Sequence, residues 1–219
     1  MMNHFFTLLL AAFCLTAVGQ VPDYVPTGGL VGWWPLDGDG IDHSANEYHG
    51  TLSDAVQVGE NRFGQVGSAL VFDGESAMVS ISHSSLLNLS YVFTISSWIY
   101  SINPPVGGAS HTIVAKRGLP DNVSVPYNVS INYHNSNSHK KPLFGSKVNS
   151  FTFRESMTAI ENDTWHHLLI SYASPELKFY LDGIELESFQ LSQAERADNL
   201  KPLQIGGWGA SDEFFEGSI

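Results

Sequence analysis

The segment ELKFYLDGIELESF, residues 176–189, constrains the fold more than any other part of the chain. Apolar and polar residues alternate from Leu177 to Leu181, which is the period-two pattern of a strand with one buried face. Asp182-Gly183 follows, and this dipeptide favours the positive φ angles of a two-residue hairpin turn. The segment therefore predicts a β-hairpin.

Short β-branched and aromatic runs recur along the rest of the chain with turn residues between them, and helical periodicity is nearly absent. In VFTISSWIY, Phe93 and Ile99 fall on one face of the predicted strand and Trp98 on the other. The polar stretches 132–150 and 190–200 are predicted to be exposed connections. The predicted strands are residues 30–36, 69–72, 77–82, 92–101, 112–116, 127–133, 151–153, 165–172, 177–181, 184–189 and 203–205. So many short strands predict an all-β sandwich or barrel.

Composition and charge limit the classes of partner. The chain has 219 residues, 43% of them hydrophobic and 15% charged, which is enough apolar material for one large folded domain. Ten Lys and Arg residues against 22 Asp and Glu residues give a formal net charge of -12. Nucleic acids and anionic membranes require concentrated positive charge, so both are excluded as expected partners.

The first 19 residues have the pattern of a secretory signal peptide. The apolar run from Phe5 to Val18 is too short to span a bilayer as a helix, and small residues Ala17 and Gly19 precede the expected cleavage point. The n-region departs from the pattern, because it contains His4 but no Lys or Arg. We expect a secreted or cell-surface protein without a membrane span.

Cleavage after Gly19 would also remove Cys14, the single cysteine of the sequence. The mature protein would then contain no disulfide, which a domain of this size does not need. Residues 20–28 are predicted to be a short linker, and residues 29–219 one domain.

An ordered series of motifs carries a resemblance to a known family. The motifs are GLVGWWPLDG, DHSANEYHGTL, NRFGQVGSALVFDG, FTISSWIY, WHHLLISYASPELKFYLDGIEL and LQIGGW followed by FFEGSI. In this order and spacing, the chain from about Gly29 to its last residue resembles the LamG-like jelly-roll domains of the concanavalin A-like lectin/glucanase superfamily. The approach segment VPDYVPTGGLVGWW is similar to the start of exported proteins of Bacteroidetes-type bacteria.

The resemblance implies a two-sheet antiparallel jelly-roll sandwich, usually one part of a larger extracellular protein. Such domains often bind carbohydrate or a protein partner, and some hold a structural calcium. Family members continue past the position of Ile219 into an acidic pair and a further strand that closes the sheet. We therefore expect this chain to be a C-terminally incomplete fragment whose downstream domains are among its partners, the alternative being a domain that lacks an edge strand.

No carboxylate pattern predicts catalysis. The glycosidases of this superfamily carry a Glu-x-Asp-x-(x)-Glu strand motif, and none of the acidic groups of this chain reproduces it. The nearest approximations are Glu161 with Asp163, Glu185 with Glu187, and Asp212 with Glu213 and Glu216. His166 and His167 are strand neighbours that point to opposite faces, so they cannot chelate one metal together. We expect no enzymatic activity, no catalytic residue and no required cofactor.

The segment LDGDGIDHSANEYHG is rich in the oxygen ligands that calcium prefers. It fits neither the EF-hand, whose twelfth position would be Tyr48 rather than Glu, nor a tandem calcium nonapeptide. The resemblance leaves a structural calcium open, with Asp37, Asp42 and Asp73 as its candidate ligands. The competing interpretation is an acidic turn whose aspartates accept hydrogen bonds from local backbone donors.

Four residues are candidates for binding a sugar or another ligand. Trp208 follows two glycines and precedes an acidic turn, Tyr133 and His134 lie beside a polar stretch, and Trp98 lies on the polar side of its strand. Core or sheet-face packing is the competing interpretation for each of them.

The sequence thus supports three functional hypotheses. The first is a non-catalytic extracellular recognition module that binds a glycan or an extracellular protein partner. The second is a structural or adhesion spacer of a larger exported protein, and the third is a divergent glycoside hydrolase. A shared fold does not choose among them.

Overall fold

The computed structural model describes residues 21–89, 91–102, 110–117, 124–133, 140–147, 151–191, 198–209 and 213–219. These residues form two antiparallel sheets of seven strands each, and one 3₁₀ turn at Ser85–Leu87 is the helical element among them. The predicted all-β, two-sheet antiparallel sandwich is therefore confirmed. Within the described ranges, no helix has the length and apolar character needed to cross a membrane.

Fourteen strands make up the sheets. They are β1 (Gly50–Leu52), β2 (Gln57–Glu60), β3 (Val66–Asp73), β4 (Val79–Ile81), β5 (Val92–Ser101), β6 (His111–Ala115), β7 (Val125–Asn132), β8 (Lys141–Lys147), β9 (Phe151–Glu155), β10 (Trp165–Ala173), β11 (Glu176–Leu181), β12 (Ile184–Gln190), β13 (Leu203–Ile205) and β14 (Glu216–Ser218). The first sheet has the order β1-β4-β13-β6-β7-β8-β9, and the second sheet has the order β12-β11-β10-β5-β14-β3-β2.

The core lies between the two sheets and is dominated by aromatic rings. Phe93 of the second sheet has its ring centroid 6.2 Å from that of Phe144 of the first sheet and 5.5 Å from that of Tyr172. All three side chains are buried. Truncating a buried phenylalanine in such a core costs about 3–5 kcal/mol, so these rings fix how the sheets face each other.

The hairpin and the long strand predicted from alternation are confirmed. Strand β5 has the predicted bounds, with Phe93 and Ile99 buried and Trp98 exposed. The turn between β11 and β12 has Asp182 at φ 51° and Gly183 at φ 82°, as a hairpin of this type requires.

Two local predictions are wrong. Residues 30–36 form no strand, because the Trp33 amide donates to a carboxylate oxygen of Asp42 and its carbonyl accepts from the His43 amide, so this backbone is bonded outside the sheets. The stretch 132–150 is not one long exposed connection, because it contains β8 with Phe144 in the core.

The chain ends in the interior of the second sheet. Strand β14 pairs with β3 on one side and with β5 on the other, and Ile219 exchanges two backbone hydrogen bonds with Leu70. Gly217 in this strand has φ 139°, and a Cβ there would lie 1.9 Å from the carbonyl oxygen of Tyr100. The closeness of β14 and β5 therefore requires glycine at this position.

Candidate functional site

A row of polar side chains crosses the outer face of the first sheet along β7. Strand alternation turns Tyr127 and Val129 into the core, so Asn128, Ser130 and Asn132 face the other way. The row continues onto the neighbouring strand β6, because Thr112 of β6 is paired with Ser130. Both Ser130 and Thr112 are 0% exposed, so the row is polar but largely closed to solvent.

Several polar atoms of this region have no hydrogen-bond partner in the part of the chain that the structure describes. They are Thr112 Oγ1, Asn128 Oδ1, Ser130 Oγ and Arg117 Nε. Leaving a buried polar group unpaired costs about 1–3 kcal/mol. Such a concentration in one region is unfavourable for stability alone, and it marks groups that a ligand or ordered water can satisfy.

A groove of about 410 Å³ lies over this face. Its lining residues are Ser110, Arg117, Asn128, Asn132, Leu143, Phe151, Phe153, Glu155 and Glu213. The volume falls within the range of about 300–1,000 Å³ that small-molecule sites have. The unpaired Asn128 Oδ1 and Arg117 Nε belong to lining residues, whereas Ser130 and Thr112 lie deeper.

Two phenylalanines of edge strand β9 form an exposed wall of the groove. The rings of Phe151 and Phe153 are nearly parallel, with 9° between their planes and 5.2 Å between their centroids. Gly145 lies opposite Phe153, and a Cβ on Gly145 would be 3.0 Å from the ring. The missing side chain thus lets the Phe153 ring lie across β8, and the wall offers apolar ring surface beside polar groups.

The groove is also lined by the Arg117–Glu213 ion pair, whose guanidinium lies over the indole of Trp208 and 5.8 Å from the Phe151 ring centroid. Arg117 donates from a terminal guanidinium nitrogen to Glu213 Oε2 at 3.2 Å, and Trp208 Nε1 donates to the same oxygen at 2.8 Å. The guanidinium carbon lies 3.6 Å from the Trp208 ring centroid. Burial lowers the pKa of Arg117, and the charge of Glu213 opposes that shift. The cluster therefore fixes the guanidinium at the groove.

The three predicted ligand residues that the structure describes, Trp98, Tyr133 and Trp208, do not form one site. Trp208 is only 5% exposed and Tyr133 is buried, so neither offers a ring face to a ligand, which corrects the expectation that they stack on a sugar. Trp208 is covered by Arg117, and Tyr133 pairs its hydroxyl with Ser101 Oγ at 2.6 Å. Burial raises the pKa of Tyr133 to about 12. His134 lies outside the described residues.

Among the candidate ligand residues that the structure describes, Trp98 presents an exposed surface. It is 38% exposed on the outer face of the second sheet, which is the opposite side of the sandwich from the groove. The Arg62 guanidinium lies 4.4 Å above its ring, and the His167 ring is 5.1 Å away. Burial lowers the pKa of His167, an effect that Asp182 opposes and Arg62 reinforces.

Two of the three predicted calcium ligands, Asp42 and Asp73, accept hydrogen bonds from their own turns. Buried Asp42 accepts hydrogen bonds at 2.8–2.9 Å from the amides of Trp33, Ser44 and Tyr48 and from the Ser44 hydroxyl. Its two oxygens are therefore surrounded by donors, and they do not fit a cation. This geometry corresponds to the competing interpretation, in which the aspartate organises the turn.

Asp73 behaves in the same way. Its Oδ1 accepts from the amides of Glu75, Ser76 and Ala77 at 2.8–2.9 Å. Burial raises the pKa of Asp73, but these donors outweigh it and bring the pKa down to about 2. The third predicted ligand, Asp37, is half-buried in the bend at residues 37–39. Among the described residues, no group of three or more His, Cys, Asp and Glu side chains could hold a metal ion.

Three of the carboxylates nearest to the superfamily's catalytic pattern, Glu185, Glu187 and Glu213, have polar partners. Glu185 accepts from Tyr180 and Lys178, and Glu187 accepts from the Met157 amide. In the groove, Glu213 is paired with Arg117, and Lys141 Nζ lies 3.9 Å from Glu155 Oε1.

The groove itself was not predicted from the sequence. One sequence pattern that indicates the polar row is YNVSIN, residues 127–132, where polar residues alternate with core residues. A second signal is FTF, residues 151–153, which places two aromatics on one face. Neither pattern shows that the two strands share one face or that Arg117 lies beside them.

The fold and the groove define a two-sheet antiparallel β-sandwich with a polar cleft on one outer face. The family model described as the concanavalin A-like lectin/glucanases superfamily (Laminin_G_3) matches residues 73–219, and the chain belongs to this family. The resemblance seen in the ordered motifs is thereby confirmed. No curated protein matches the chain.

Solved structures with the same fold share little sequence with this chain. The binding domain of Paraclostridial Mosquitocidal Protein 1 has a TM-score of 0.62 at 15% identity over 81% of this chain and 45% of its own. Domain 4 of AbnA, an extracellular arabinanase from Geobacillus stearothermophilus in complex with arabinotriose, has a TM-score of 0.62 at 17% identity over 84% of this chain and 86% of its own. The CBM40 of the Ruminococcus gnavus IT-sialidase, bound to α2,3 sialyllactose, has a TM-score of 0.53 at 12% identity, over 69% and 85%. The chain thus spans about half of the first structure and most of the other two.

Proposed function

We propose that this chain is a non-catalytic recognition module that binds carbohydrate in the groove of the first sheet. The observation that carries the proposal is the set of unpaired polar atoms at and beneath the groove floor, next to an exposed phenylalanine wall. Sugars combine hydroxyl groups with apolar C–H faces, so one ligand would satisfy both features. The arabinotriose and sialyllactose complexes of the similar structures support the same class of ligand.

The test compares groove variants with a control on the other side of the sandwich. Binding of the purified protein to a panel of polysaccharides is measured by isothermal titration calorimetry. Asn128→Ala removes an unpaired acceptor of the lining, and Phe153→Ala removes part of the wall. Each is expected to weaken binding at least tenfold, about 1.4 kcal/mol, whereas Trp98→Ala is expected to leave it within twofold.

Other outcomes separate the competing functions. Absence of binding to every polysaccharide, with or without calcium, would favour a structural spacer or a protein partner. Sustained release of reducing sugars would favour a glycoside hydrolase, with Glu155 and Glu213 as the carboxylates in the groove. Loss of binding in Trp98→Ala alone would move the site to the second sheet.

Export to the cell surface or medium is part of the proposal. It rests on the apolar run within the first 19 residues. The mature protein isolated from its source is expected to begin at Gln20. An N-terminal sequence that still contains Cys14 would contradict export by the predicted cleavage.

A further inference from the structure

We infer that the groove selects uncharged polyhydroxy ligands, that is, neutral oligosaccharides, over glycans that carry carboxylate or sulfate groups. The inference rests on the proposed function and adds the chemical class of the sugar. Two features of the groove support it: the hydrogen-bond character of its unpaired atoms favours a polyhydroxy ligand, and the pairing of its charged side chains favours an uncharged one.

Each charged lining residue in the described part of the groove already has an opposite charge close to it. Arg117 faces Glu213 at 3.2 Å and is stacked on Trp208, so its charge is already balanced at close range. The lining contains two carboxylates, Glu155 and Glu213, against this single guanidinium. Glu155 in turn has Lys141 Nζ 3.9 Å from its Oε1, so an anionic sugar would meet no unbalanced positive charge among these lining residues, on a chain whose formal net charge is -12.

The unpaired atoms require a ligand that both donates and accepts hydrogen bonds. Among the residues that the structure describes, Asn128 Oδ1 is an acceptor without a donor, and Arg117 Nε is a donor without an acceptor. A carboxylate or sulfate can accept from Arg117 but cannot donate to Asn128. An ammonium group can donate to Asn128 but cannot accept from Arg117. Hydroxyl groups do both, so these two atoms favour a polyhydroxy ligand over a simple anion or amine, and the paired charges of the lining favour a neutral one.

The wall suits the same ligand. Phe151 and Phe153 are exposed and nearly parallel, and their ring faces carry no charge. Sugar rings present apolar C–H groups that pack on such surfaces, and burying them does not require desolvating an ion. Lys147 lies 5.0 Å from the Phe151 ring centroid, but it is not among the lining residues.

The experiment uses matched neutral and acidic ligands with the full chain. The pairs are β-1,4-galactan with polygalacturonate, hydroxyethylcellulose with carboxymethylcellulose, and lactose with 3′-sialyllactose. We expect the neutral member of at least one pair to bind at least tenfold more tightly than its acidic partner. We also expect the dissociation constant to change less than twofold between 50 and 500 mM NaCl, because no ion pair forms with the ligand.

A variant tests the role of the balanced guanidinium. Glu213→Gln retains an acceptor for Trp208 but removes the charge that neutralises Arg117. It is expected to raise the ratio of acidic to neutral affinity at least threefold. A role for Glu213 in folding alone would weaken both ligands equally and leave the ratio unchanged, which would contradict the argument from charge.

The failures of the two proposals are distinguishable. Tighter binding of the acidic members, weakened by salt and abolished by Asn128→Ala, would overturn neutral selectivity and leave carbohydrate binding in the groove intact. Equal affinity for both members of every pair would overturn the selectivity alone. Absence of binding to all pairs would overturn both.

Discussion

Thr112→Val tests directly whether the polar row is unsatisfied in the folded protein. Thr112 is fully buried in β6 opposite Ser130, and its Oγ1 has no hydrogen-bond partner within the described residues. Valine has nearly the same shape, so the substitution removes the hydroxyl and leaves no cavity. An unpaired buried hydroxyl costs about 1–3 kcal/mol. The variant is therefore expected to be more stable than the parent by about 1 kcal/mol.

The measurement is thermal and urea unfolding of the parent and the variant. For a domain of 150–250 residues, 1 kcal/mol corresponds to about 2–4 °C in the midpoint temperature. Thr94→Val is the matched control, because Thr94 is exposed on β5, and it should change stability by less than about 0.5 kcal/mol. A loss of more than 1 kcal/mol in Thr112→Val would refute the reasoning, since it would show that the hydroxyl makes a bond in solution.

Three further predictions concern the framework around the site. Asp42→Ala leaves three backbone amides without their acceptor, so it should lower the free energy of unfolding by about 3 kcal/mol or more in chemical denaturation. Because Asp42 serves these amides and not a cation, adding calcium or EDTA to the parent should leave its midpoint temperature unchanged within 1 °C. Burial lowers the pKa of His111 from 6.5 to about 4, so the unfolded chain takes up the proton first. The free energy of unfolding should therefore fall by up to about 3 kcal/mol as the pH drops from 6.5 to 4, and a flat profile, or one unaltered in His111→Gln, would contradict this. Gly217→Ala places a Cβ against the Tyr100 carbonyl and should cost at least about 2 kcal/mol, so a fully stable variant would contradict the close packing of β14 on β5.

Elements defined by local alternation could be predicted from the sequence. Strand β5 and the hairpin of β11 and β12 carry a period-two pattern and, in the hairpin, a dipeptide suited to the turn. Residues 30–36 look equally strand-like, but Asp42 captures the Trp33 amide across nine positions, and no local pattern reports that bond. Strand β8 was missed because its apolar core is short, with Leu143 and Phe144 between polar flanks.

The candidate site depended on long-range pairing. Asn128 and Ser130 stand out in sequence as polar residues within a core strand, but their role depends on β8 and β9, which follow across a polar connection. Trp208 has the sequence features of an exposed aromatic, and it is buried because Arg117, 91 positions earlier, stacks on its ring. Tertiary contacts therefore decide which aromatic residues face a ligand.

Carbohydrate binding in the groove is tested most directly by NMR titration of the isotope-labelled protein with the best neutral ligand. The Arg117 Nε–H signal and the side-chain amide signals of Asn128 and Asn132 are expected to shift saturably, while the indole signal of Trp98 is expected not to shift. Shifts confined to Trp98 and its neighbours on the second sheet, with the groove signals unchanged, would contradict it.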